Sequence, residues 1–421
     1  MMRYRRLMTC PDSRQLRAAA LVFLLSACSG REDTEPPILN WYVFDEKSGA
    51  FQDAVRHCTA LSDGHYRIRI TPLPADADQQ REQLVRRLAA RDRDIDIIGM
   101  DVIWTAEFAQ AGWIQPWHET QAVRATAGML PAAVESATYQ GRLWAVPFTS
   151  NAQLLWYRKD RVDVPATWDD LISAAEALDR PGALQVQGQR YEGLTVFFIS
   201  LLASAGGAVL NPDGIGVSLE DGPTRRALGL LKRIATSRAA DPALSTSRED
   251  QSRLTFETGG PVFMVNYSYV WPSARQNAPA IAEQMGWTRW PAVMEGRSGR
   301  VTIGGTNLGI GAYTHHTDMA FEAAECLASK TNQINAARKG GLPPTIESLY
   351  RTPEVRQRFP MADTLLATLQ DAVQRPRTPF YYDLSLAISH TLHPLKDIDP
   401  EADTIRLREA VARALKSEGL F

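Results

Sequence analysis

Several things this chain lacks narrow its function before any motif is read. Beyond its first residues it has no run of about 18 uninterrupted apolar residues, so no further segment reads as a transmembrane helix. It has no long basic run, which argues against a nucleic-acid partner, because binding a phosphate backbone needs clustered Lys and Arg. The G-x-S-x-G elbow, the Walker loop, C-x-x-C and H-E-x-x-H are all missing. Gly304, Gly305 and Gly309 have the wrong spacing for a dinucleotide fingerprint, and the adjacent His315 and His316 read as a solvated turn, not as metal ligands. No internal repeat or low-complexity linker divides the chain. Only 4 cysteines occur in 421 residues.

What is present begins at the N-terminus. Arg3, Arg5, Arg6, Arg14 and Arg17 flank Ala18 to Ala27, about ten apolar or small residues, too few to span a bilayer. This reads as a secretory signal. Leu25-Ser26-Ala27-Cys28 then places small residues before a cysteine and resembles the lipobox of bacterial lipoproteins, which implies acylation of Cys28 and a domain held at the membrane by lipid. The other reading is a signal peptide that happens to contain Cys28. Ser29 stands where an inner-membrane retention signal often has Asp, so the leaflet stays open.

Removing residues 1–27 takes away five arginines and one acid, a charge of +4, so the formal net charge of −2 becomes −6. A mildly acidic body suits a small neutral ligand. The remaining 394 of 421 residues exceed one comfortable core and suggest two lobes. Cys10 leaves with the signal, and Cys58 and Cys326 remain. In an oxidising compartment they can pair, or they can pack separately as buried thiols.

Hydrophobic patterning predicts a strand over Ile38–Phe44, a helix over Ala50–Leu61, a strand over Tyr66–Leu73, a helix from Asp78 to Arg91 and a short strand ending at Asp101. That alternation predicts an α/β fold with a parallel sheet, in which ligands collect at the carboxyl ends of strands. Trp144–Arg158 reads as two extended pieces joined by a polar kink, a crossing between lobes, and Val301–Ile310 as a second crossing. Thr167 is the expected N-cap of a helix with acids in its first turn. Leu254–Gly259 leads into a strand over Val262–Val265, and the region after Pro344 reads as largely helical, broken at Gln374–Tyr382. The crossings make the lobes interleaved: 28–147 with 302–345, and 148–301 with 346–421.

These marks together resemble the substrate-binding lipoproteins of ATP-driven sugar importers, the maltodextrin-type family. The residues that carry the resemblance are Thr167-Trp168-Asp169-Asp170-Leu171, the run Phe256–Met264, and Gly304-Gly305 before a hydrophobic strand and the 320–328 helix. Asp101–Trp113, Asn151–Arg158, Ile303–Leu308 and Arg375–Pro379 look like its trehalose-binding subgroup. The resemblance implies a two-lobed periplasmic-binding-protein fold of type II with a hinge and a central cleft. It also implies a monomer without cofactor or metal, a trehalose-like disaccharide as ligand, and permease subunits as partners. It places sugar contacts at Gln80, Asp101, Asn151, Glu249, Gly305 and Arg375, with Glu46 on a loop that departs from the subgroup, and it implies a Cys58–Cys326 disulfide.

A disaccharide presents a ring of hydroxyls, each both donor and acceptor, around patches of C–H. Carboxylates such as Asp101 and Glu249 accept hydroxyl protons, Arg375 offers a planar fork of donors and Asn151 does either. Trp104, Tyr267 and Trp271 are candidates to stack on a ring. Each has a plainer reading: Asp101 as a helix cap, Glu249 and Arg375 as surface charges, Asn151 as a backbone partner at the crossing, and Trp104 and Trp271 as core. Two other functions compete. In a glycoside hydrolase, Asp101 and Glu249 would flank a scissile bond about 5 to 10 Å apart. In a non-sugar binder of the same fold, for example of glycerol phosphodiesters, only Arg375 and Arg377 are at hand to meet the anion.

Overall fold

The computed structural model describes residues 35–417, except Ala75 and Asp213. The signal segment, the Leu25–Cys28 motif and Cys28 lie outside the described residues. The chain divides into two units, Met1–Glu35 and Pro36–Phe421, and every described strand and helix belongs to the second.

Among the described residues eleven strands succeed one another: β1 (Ile38–Phe44), β2 (Arg67–Leu73), β3 (Ile97–Asp101), a short hairpin of β4 (Thr138–Tyr139) and β5 (Arg142–Leu143), β6 (Ala145–Asn151), β7 (Leu154–Arg158), β8 (Leu184–Gln185), β9 (Phe263–Asn266), β10 (Met285–Thr288) and β11 (Gly304–Ile310). They build two principal sheets, one in the order β2-β1-β3-β11-β6 and one in the order β10-β7-β9-β8.

The first sheet is not purely parallel, as the strand–helix alternation suggested. β1, β2 and β3 are parallel, but β11 runs antiparallel to both β3 and β6. Connectivity explains this. β6 leaves for the second sheet, so it ends at the same edge as β3; β11 returns from that sheet and starts where the others end. Asp101 therefore pairs with Thr306, and Asn151 with Gly304, along one carboxyl edge.

Local sequence accounts for the elements that frame this edge. Thr167 caps the helix Trp168–Glu176 in a capping box with Asp170. Helix Glu192–Ser204 is apolar on nearly every side and lies buried, which is what an all-round hydrophobic helix requires. Glu249–Glu257 is also a helix, where the sequence suggested only a lead-in to β9; its two acids in the first turn suit the dipole, and Arg248 N–H donates to the Gln251 carboxamide.

Each sheet has its own aromatic core. Trp41, Phe51 and Phe148 pack at 5.0 to 5.9 Å between ring centroids around the first. Trp168, Phe197 and Trp290 pack at 5.3 to 5.8 Å beside the second. Cys58 of helix Ala50–Leu61 and Cys326 of helix Thr317–Leu327 are joined as a disulfide, Cα atoms 5.8 Å apart. Among the described residues no helix is long and apolar enough to cross a membrane.

Candidate functional site

The carboxyl edge of the first sheet carries Asp101, Asn151 and the Gly304-Gly305 pair side by side. Asp101 Oδ1 accepts from Ile103 N–H at 3.2 Å, capping the short turn Val102–Trp104, and from Arg375 Nη2 at 3.0 Å. The cap reading and the site reading therefore both apply to one oxygen. Gly304 leaves room for the Asn151 carboxamide, since a Cβ there would stand 2.2 Å from its Oδ1. Gly305 has φ +139°, and a Cβ on it would lie 2.1 Å from the Thr149 carbonyl, so only glycine fits where β11 meets β6.

Arg375 is no surface charge: 7% of it is exposed. Its guanidinium bridges Asp101 and, at 2.7 Å, Glu192. Burial works against its positive charge, but Asp101 and Glu192 outweigh that and hold the arginine protonated. Tyr381 OH donates to Glu192 at 2.6 Å and Ser385 Oγ donates to its other oxygen. Burial pushes the Glu192 carboxyl up, with Arg375, Ser385 and Tyr381 pulling the other way. The Nε of Arg375 is buried and has no acceptor among the described residues.

Sequence reasoning missed Glu192. The available signal was a lone acid opening an otherwise apolar helix, a position where an unpaired charge costs too much to be incidental.

From the second sheet's side come Glu249 and Tyr267. Glu249 stands in the first turn of its helix, accepts from Tyr191 OH at 2.6 Å, and has its carboxyl pushed up by burial. Asn266 Nδ2 donates to the Glu249 carbonyl at 2.8 Å, and Tyr267 N–H donates to Asn266 Oδ1 at 2.8 Å, which ties the two predicted residues together through the end of β9. The Tyr267 phenol is held neutral by burial and by the fields of Glu249, Asp101 and Glu192. It thus lies among groups contributed by both sheets.

Helix Ala77–Ala89 adds the buried Gln80 and also Asp78, whose carboxyl is raised by burial and by its like-charged neighbours Asp76 and Asp101.

Three further candidates have contacts of their own. Glu46 accepts from Ser48 N–H at 2.7 Å and from Ala50 N–H at 3.0 Å, closing the turn into helix Ala50–Leu61. Trp104 is 3% exposed and stacks on Phe108 at 5.9 Å, so it belongs to the core. Trp271 packs edge-on against Trp287 at 5.4 Å, with the Arg275 guanidinium 5.8 Å from its ring.

The cluster is rich in fixed donors and acceptors: the hydroxyls of Tyr191, Tyr267 and Tyr381, side-chain amides, an arginine and several carboxylates. Among the described residues the one group with metal-ligand spacing is His57, Cys58 and Cys326, and the disulfide takes both sulfurs. A cavity of about 970 Å³ lined by Tyr139, Leu210, Ile215, Arg377 and Phe380 shares Arg375 with the cluster, but none of Asp101, Asn151, Glu249 or Tyr267 lines it.

Comparison with known proteins agrees with this architecture. The maltose-bound MalE3 of T. maritima superposes with a TM-score of 0.80 at 26% identity, covering 90% of this chain and 99% of that one. The GacH receptor of Streptomyces glaucescens, whose structures include complexes with acarbose and an acarbose homologue, superposes with a TM-score of 0.79 at 21% identity, covering 90% of this chain and 99% of its own; at that identity it supports the fold alone. The fold is thus α/β and two-lobed, of the type II periplasmic binding-protein kind. In sequence, a probable ABC transporter-binding protein of Deinococcus radiodurans is 26% identical over 326 residues, 74% of this chain and 76% of that protein. The relatives in sequence are transporter-binding proteins and not enzymes. Residues 60–334 match the bacterial extracellular solute-binding protein family, and the chain belongs to it.

Proposed function

We propose that the protein is the sugar receptor of an ABC importer, and that it closes its two lobes around a disaccharide, trehalose first, and delivers it to the membrane permease. Residues 28–147 with 302–345 form one lobe in this reading, and 148–301 with 346–421 the other. The protein is exported and held at the membrane through a lipid on Cys28, as a monomer.

One observation carries the ligand class. Asp101 on the first sheet and Glu249 beside the second both act electrostatically on Tyr267, as Arg375 does, in a half-buried polar cluster, and Arg375 Nε still lacks an acceptor among the described residues. Hydroxyl-rich neutral molecules answer such a site, because each hydroxyl both donates and accepts. Net hydrogen bonds to charged groups contribute roughly 1.5 to 3 kcal/mol each, so three or four support a micromolar site near about −8 kcal/mol after ordering costs. Gln80, Asn151, Gly305 and Tyr267 complete the proposed contact set, with Glu46 and Trp271 as further candidates. Lobe closure follows from ligand contacts that exist only when both lobes face the sugar.

Maltose is the second reading, supported by the maltose-bound MalE3 of T. maritima. Titration calorimetry on Ser29–Phe421 with trehalose, maltose, sucrose and maltotriose decides between them. Heat with trehalose above the others is expected; no heat with any of the four would end the sugar reading.

A further inference from the structure

An ion pair between Asp76 and Arg248 joins the side of the first sheet to that of the second. Asp76 caps helix Ala77–Ala89, which comes after the first sheet's β2; its Oδ1 accepts from Asp78 N–H at 3.1 Å and Gln79 N–H at 3.2 Å. Its second oxygen, Oδ2, accepts from Arg248 Nη1 at 3.0 Å. Arg248 directly precedes the helix Glu249–Glu257 on the second sheet's side. Its Nε donates to Gln189 at 2.9 Å, and its guanidinium lies 4.6 Å from the centroid of the Tyr191 ring. Both ends of the bridge are thereby held by other bonds. The side chains keep 37% and 29% of their exposure, which puts the pair at a rim and not in the interior.

Its neighbours are the proposed sugar contacts. Glu249 is the next residue after Arg248, and Gln80 N–H donates to the Asp76 carbonyl at 3.0 Å. An ion pair 3.0 Å long leaves no passage for a sugar ring between these two side chains. We infer that the Asp76–Arg248 bridge walls off one end of the binding cleft and limits the ligand to a disaccharide, refusing α-linked glucose chains one unit longer.

This rests on the sugar-receptor reading above. To admit a longer chain the pair must open and Arg248 must leave its place over Tyr191. Exposed ion pairs contribute little on their own, so the exclusion comes from the combined loss of pair, stack and closure.

The test compares ligand lengths by calorimetry: maltose against maltotriose, and trehalose against trehalose lengthened by one glucose. The intact protein is expected to bind the tighter disaccharide at least about 10-fold better than its extension. Arg248→Ala should bring that ratio close to one. Asp76→Asn, which keeps an N-capping side chain while removing the charge, should move it the same way. A role in folding alone would weaken both ligands together and leave the ratio unchanged. An intact protein that binds both lengths equally, or variants that keep its ratio, would overturn the wall while leaving the sugar-receptor reading in place. Absence of any disaccharide binding by the intact protein would instead remove that reading and the wall with it.

Discussion

A single oxygen, Asp101 Oδ1, serves both the turn after β3 and the guanidinium of Arg375. Truncating Asp101 to alanine leaves Arg375 buried with only Glu192 opposite, and removes one or two charge-assisted bonds to a ligand. Sugar affinity should fall roughly 10- to 100-fold in Asp101→Ala by calorimetry. Glu249 lends itself to a pH test, because burial raises its carboxyl above the ordinary 4.5. A group that holds its proton more tightly when folded contributes stability that is complete below the unfolded value and lost as pH rises through the folded one. As pH falls from about 7 to about 4.5, the Tm difference between the intact protein and Glu249→Gln should therefore shift in favour of the intact protein. Its sugar affinity should fall over the same interval, as the carboxylate is protonated. If affinity instead holds or rises while the Tm difference shifts, Glu249 is not a ligand contact. At this scale the sequence was readable where polar residues stand at strand ends, as Asp101 and Asn151 do. For Glu192 it offered only a lone acid opening an apolar helix, with nothing to point to its partner Arg375, 183 residues away.

Elements were legible where periodicity and caps agreed. Helix Ala50–Leu61 and strand Ile38–Phe44 have the bounds that their patterns suggested. Helix Glu249–Glu257 was harder, because its nine residues carry a mixed pattern and are held by packing beside β9. Strand direction was harder still. Nothing inside Gly304–Ile310 states that it runs against β3; that depends on where the chain has been before it. The same strand contains the position least tolerant of change. Gly305→Ala combines a backbone that side chains rarely adopt with a Cβ against the Thr149 carbonyl. It should lower unfolding free energy by about 3 kcal/mol in urea titration, and a neutral result would mean that the β6–β11 junction is more pliable than its geometry.

Over the whole molecule, two sheets share one chain that passes between them more than once. This was visible in the sequence as two crossings, Trp144–Arg158 and Val301–Ile310, because neither looks like a linker. What sequence could not supply was the distance between residues on separate sheets, so the pairing of Asp76 with Arg248 had no sequence signal. The disulfide has a topological consequence. Cys58 and Cys326 are 268 residues apart, and the loop they close holds β2 through β11, including every strand of the second sheet. A protease that cuts once anywhere inside that loop therefore severs the polypeptide without parting the fragments. Nicked protein should migrate as one band on a non-reducing gel and split in two only when a reductant is added. A cut after Cys326 should release its fragment under denaturing conditions either way, so limited digestion read on paired gels maps which surface loops a protease can reach.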